Sequence, residues 1–140
     1  MNLYKLHSEP TRLKGYNKRL QVPKFAWEEI ADNNYEENSE LEEVFATDTD
    51  YSYYYARDVL KDRFELGEEA IARDAYTSYL YANWILGGRF PEAEDTIKQD
   101  PESAFDYAKD VLDDRWPAAE EVIRQNSAWW NDYKQEFGIE

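Results

Sequence analysis

The 140-residue chain has no cysteine. Without thiols it has neither a disulfide framework nor a thiolate metal site, and it suits a reducing interior. Its single histidine, His7, stands near the start. One imidazole supplies neither a nucleophile–base pair nor a histidine metal cluster. The five glycines form no phosphate-cradling loop. No apolar run nears the roughly 18 residues that signal a membrane span, and no secretory apolar core marks the start. The expectation is a soluble, cytoplasmic, non-enzymatic protein with no cofactor, no metal and no membrane partner.

Positive charge is scarce as well: 16 Lys and Arg face 31 Asp and Glu, a formal net charge of −15. The shortage is uneven. Lys5, Arg12, Lys14, Lys18, Arg19 and Lys24 against Glu9 give residues 1–24 a charge of +5, so residues 25–140 carry −20. Nucleic-acid affinity depends on cationic neutralisation of phosphates, so this body should not bind nucleic acid directly. It should attract basic surfaces instead. Asp48-Thr49-Asp50 begins like a calcium loop, but Tyr53 occupies the place of the required glycine, and helix capping is the better reading.

What is abundant is a repeated phrase. Tyr55-Ala56-Arg57-Asp58-Val59-Leu60 recurs as Tyr81-Ala82-Asn83-Trp84-Ile85-Leu86 and as Tyr107-Ala108-Lys109-Asp110-Val111-Leu112, at a constant step of 26 residues. An arginine and an aromatic follow each time (Arg63-Phe64, Arg89-Phe90, Arg115-Trp116), and Ile71, Ile97 and Ile123 close the units. Fixed periods of about 20–50 residues signal stacked repeats. Within 101–126, Ala104, Tyr107, Ala108, Val111 and Leu112 have the spacing of one buried helix face. Asp100-Pro101-Glu102 reads as an N-cap, a first-turn proline and a first-turn acid, and Asp48 and Asp74 match Asp100. A shorter second helix begins near Pro91 or Pro117. In register, Pro23, Ala26, Trp27 and Phe45 mark a degenerate first repeat with a loose inter-helix turn over Asn33–Ser39.

The fold expected is an all-α, right-handed-type helical-repeat solenoid in one domain, 1–140. A basic leader, 1–22, covers the first repeat through Leu3, Tyr4, Leu6, Leu13, Tyr16 and Leu20, or else serves as a nucleic-acid arm. Four helix-pair repeats follow at 23–48, 49–74, 75–100 and 101–126, and a cap helix at 127–140 ends the stack where Lys134 replaces the small alanine.

The pattern Tyr-Ala-x-x-Val-Leu-x-x-Arg-Phe/Trp-Pro-x-Ala-Glu-x-x-Ile resembles a short helical repeat recurring in proteins of tailed bacteriophages. Tyr81 to Ile97 matches it almost throughout, Tyr107 to Ile123 nearly as well, and Tyr55 to Ile71 departs at Glu65 and Gly67. The resemblance implies a phage or prophage source, a helical solenoid and a bacterial host cytoplasm. It implies no catalytic residue, because that pattern is structural.

Equivalent positions form columns. Ala56, Ala82 and Ala108 mark close helix approach, and Tyr55, Tyr81, Tyr107 and Tyr133 are core residues whose hydroxyls reach the surface. Arg63, Arg89 and Arg115 precede Glu68, Glu94 and Glu120 by five residues, an ion-pair ladder within or between repeats. Glu43, Glu69, Asp95 and Glu121 form an acidic ridge with no matching arginine column, extended at one end by Glu42; Lys98 is expected to be free. Trp27, Tyr53, Tyr79 and Phe105 lie one residue off the buried stripe. Trp84, Trp129 and Trp130 have no counterparts and are candidate interface anchors. Two functions follow. In one, the ridge docks into a basic host protein and blocks a groove that normally holds nucleic acid, as an inhibitor of a defence enzyme would. In the other, the solenoid is a plain protein–protein adaptor with a solvated acidic face.

Overall fold

In the second, third and fourth repeats an aspartate opens the first helix by taking up an amide that the first turn leaves without a partner. Asp48 Oδ1 accepts from the Tyr51 amide at 2.9 Å, and Asp74 and Asp100 accept from Thr77 and Ser103 at the same distance. Asn126 continues the register and caps the last helix through the Ala128 and Trp129 amides. A computed structural model describes residues 18–140, all helix, turn and loop, with no strand among them. His7 and the leader residues Leu3, Tyr4, Leu6, Leu13 and Tyr16 lie outside the described residues. The chain divides into two compact units between Ala70 and Ile71.

In the first unit, a 3-10 turn, Lys18–Gln21, packs on α1 (Pro23–Asp32) and α2 (Ser39–Phe45) with Leu20 buried. Next come α3 (Thr49–Tyr54), the π-helical segment Tyr55–Leu60, the 3-10 turn Glu65–Gly67 and α4 (Glu68–Ile71), within which the division falls. Trp27 gathers the rings of Tyr35, Phe45, Tyr51 and Tyr54 at centroid distances of 5.8–6.1 Å. The 33–38 turn is longer than the later inter-helix turns but is held in place. Asn34 and Tyr35 are left-handed (φ 61° and 59°), the Tyr35 amide donates to Ile30 O at 2.9 Å, and the Asn38 amide donates to the Tyr55 hydroxyl at 3.1 Å.

The second unit contains α5 (Ala75–Leu80) with the π segment Tyr81–Leu86, then the 3-10 turn Pro91–Ala93 and α6 (Glu94–Ile97). It continues through α7 (Pro101–Tyr107) with the π segment Ala108–Leu112, α8 (Pro117–Arg124) and α9 (Ser127–Phe137). Ile71, Ile97 and Ile123 are fully buried, each stabilising by about 1.5–3 kcal/mol over an exposed side chain. Ala56, Ala82 and Ala108 are fully buried too.

Three π segments at equivalent places were not foreseen in the sequence. Each ends on a left-handed residue: Lys61 (φ 53°), Gly87 (φ 65°) and Asp113 (φ 55°). The carbonyl of the alanine near the segment's start accepts both from that residue and from the next, as Ala82 O does from Gly87 and, at 3.2 Å, from Gly88. This wider turn corrects the expected stripe. Val111 and Leu112 are only half-buried, as are Val59, Leu60, Ile85 and Leu86, because i→i+5 bonding turns them away from the line an α-helix would keep. Tyr53, Tyr79 and Phe105 are instead buried, at 6–8% exposure.

Candidate protein-binding surface

The ladder arginines sit in the turns and grip the second helices. Arg89 Nε and Nη2 each lie 2.8 Å from the two Glu94 carboxylate oxygens. Arg63 forks onto Glu68 at 3.0 and 2.9 Å, and Arg115 onto Glu120 at 2.9 Å twice. Planar guanidinium and planar carboxylate match in this bidentate form. Glu94 and Glu120 have a further partner that spacing did not reveal. The Tyr107 hydroxyl accepts the Phe90 amide at 2.9 Å and donates to Glu94 Oε2 at 2.6 Å. Tyr133 does the same with Trp116 and Glu120, at 2.7 and 2.8 Å.

Those tyrosines are fully buried, so the expectation that their hydroxyls reach the surface is wrong. A phenol hydroxyl both donates and accepts, and here it fastens one repeat to the next. Burial, reinforced by the glutamate acceptor, pushes the Tyr133 hydroxyl up to about 12, and Tyr55 and Tyr107 are raised in the same way. The Arg89 fork holds the Glu94 carboxyl below its usual range, and Arg115 does so for Glu120.

Glu42 belongs to this inner column rather than to the outer acidic one. It accepts the Tyr55 hydroxyl at 2.8 Å, as Glu94 accepts Tyr107. The degenerate first repeat thus keeps the tyrosine socket without the arginine, and Asn38 supplies the amide that Phe90 supplies elsewhere.

Glu43, Glu69, Asp95 and Glu121 are all exposed. No arginine column was expected beside them, yet Asp95 and Glu121 each have a cation nearby. Lys98 Nζ lies 3.0 Å from Asp95, and Arg124 lies 3.4 Å from Glu121. Both pairs have the helical i, i+3 spacing, which differs from the five-residue spacing of the ladder. Exposed pairs of this kind contribute about 0–1 kcal/mol but reduce the local negative field. Lys98 is therefore not free.

The tryptophans separate into two kinds. Trp129 and Trp130 are half-buried: Trp129 lies 5.9 Å from Phe105, and Trp130 stacks on Tyr133 at 5.4 Å beneath the Arg124 guanidinium at 4.7 Å. Both cover the end of the last repeat. Trp84 is 69% exposed. Among the described residues no helix is long and apolar enough to cross a membrane, and no cluster of His, Cys, Asp or Glu is placed to hold a metal ion. No family model matches the chain, and no curated protein or solved structure matches it.

Proposed function

We propose that this chain is a non-enzymatic, acidic helical-repeat protein that binds a basic protein. Its helix-pair repeats present the outer carboxylates of the ridge as docking residues, Glu43 and Glu69 in the first unit and Asp95 and Glu121 in the second. One observation carries the reading: the inner glutamates take up the ladder arginines, while the outer four remain exposed. The resemblance to phage repeats makes the partner a bacterial host protein, and a groove that normally holds nucleic acid has the matching charge. Replacing the four with Gln, Gln, Asn and Gln removes four charges at little change in shape. The folded variant should lose both binding to a basic-groove nucleic-acid-binding protein and protection against nucleic-acid cleavage. Undiminished inhibition would sink this reading. A second reading, an adaptor anchored by exposed apolar groups, is favoured by Trp84; its affinity would vary little with salt, whereas ridge docking weakens steeply.

A further inference from the structure

Tyr76, Leu80 and Trp84 recur every four residues along Ala75–Leu86 in the second unit. Tyr76 is 49% exposed, Trp84 69%, and Leu80 is half-buried. Four residues overshoot a 3.6-residue α turn and fall short of the wider π turn. Because α gives way to π at Tyr81, the two offsets oppose each other, and the three side chains align along the helix axis. One period later the same positions are Glu102, Asp106 and Asp110. The two helices are neighbours, since the Tyr79 hydroxyl donates to the Asp110 carboxylate. An apolar row thus lies beside an acidic row.

The acidic row is poorly compensated. Lys109 stands over the Phe105 ring at 5.4 Å and 4.0 Å from Asp110, one ammonium for three carboxylates. Burial, with Asp110 and Glu102 adding to it and Lys109 opposing, holds the Asp106 carboxyl above its ordinary value. An exposed aromatic anchor bordered by carboxylates matches a ligand with an apolar side and a cationic side. Nucleic acid and anionic lipid are repelled by the acidic row, and a second copy of a chain with net charge −15 would set like charges against one another.

We propose that this face of Ile71–Glu140 binds a basic amphipathic helix of a partner protein. Its apolar side would lie on Tyr76, Leu80 and Trp84, and its lysines or arginines against Glu102, Asp106 and Asp110. The inference rests on the protein-binding reading above but uses none of the ridge residues. The test titrates the full chain with a synthetic leucine–lysine amphipathic helix, followed by calorimetry and by the Trp84 indole N–H signal. A leucine–glutamine helix and a lysine-only peptide serve as controls. Trp84→Ala and the pair Glu102→Gln with Asp106→Asn should each weaken binding about tenfold or more. Asp110 is left intact because it accepts the Tyr79 hydroxyl. The leucine–lysine helix should bind more tightly than either control. Undiminished binding by folded Trp84→Ala, or no binding by the unaltered chain, would overturn the proposal. Binding lost in the ridge variant but kept in Trp84→Ala would overturn it too, while leaving the ridge reading in place.

Discussion

Tyr107→Phe removes one oxygen and leaves the ring, which isolates the hydroxyl's contribution. That oxygen accepts the Phe90 amide at 2.9 Å and donates to Glu94 at 2.6 Å. Phe90 is 1% exposed, so water cannot replace the lost acceptor. An unsatisfied buried donor costs about 1–3 kcal/mol, and a hydrogen bond to a charged group contributes about 1.5–3 kcal/mol. Glu94 keeps its Arg89 fork and some exposure, which softens the second contribution. The net cost should be about 2–4 kcal/mol. Tyr76→Phe, at a half-exposed ring on the same kind of helix, should cost less than about 0.5 kcal/mol. Urea unfolding followed by tryptophan fluorescence measures both, and an unchanged m-value would show that the unfolded state is not responsible. A loss below about 0.5 kcal/mol for Tyr107→Phe would refute the view that these hydroxyls fasten successive repeats.

Two further outcomes are expected. Lys61 (φ 53°) bears the strain that Gly87 (φ 65°) avoids at the equivalent position, so Lys61→Gly should stabilise and Gly87→Lys destabilise, each by about 1 kcal/mol in thermal or urea unfolding; changes of the opposite sign would refute this. Raised folded-state tyrosine pKa values contribute stability that is intact below the ordinary value of 10.0 and is lost as pH rises toward the folded value, about 12 for Tyr133. The urea midpoint should therefore hold up to about pH 9 and fall between about pH 10 and about pH 12, and a midpoint constant over that range would contradict the buried socket.

The elements visible in the sequence were those that depend on local chemistry at fixed spacing. Asp48, Asp74 and Asp100 announce their helices because a capping oxygen has to sit just before the first turn. Arg89 and Glu94 announce their fork because five residues of turn bring a planar donor pair onto a planar acceptor pair. The π segments gave no comparable sign. The Tyr-Ala-x-x-Val-Leu phrase suits an α-helix equally well, and the extra residue in the turn becomes evident only where the Ala82 carbonyl accepts from Gly87 and Gly88. The tyrosine sockets were hidden for a different reason. Tyr107 meets Glu94 and Phe90 at separations of 13 and 17 residues, which tertiary packing rather than helical period determines.

Within the second unit, the tyrosine socket and the arginine fork recur because they hold helix to helix, and a residue needed for that purpose has little freedom to choose a partner. Selectivity has to come from positions that packing leaves open. Trp84 occupies such a position: its counterpart Asp110 bonds to Tyr79, whereas Trp84 itself leaves most of its indole to solvent. Exposing that much apolar surface opposes solubility unless something covers it. On the docking proposed above, the acidic row beside it favours a cationic, partly apolar surface, so the departure from the repeat and the excess of charge would select the same kind of ligand.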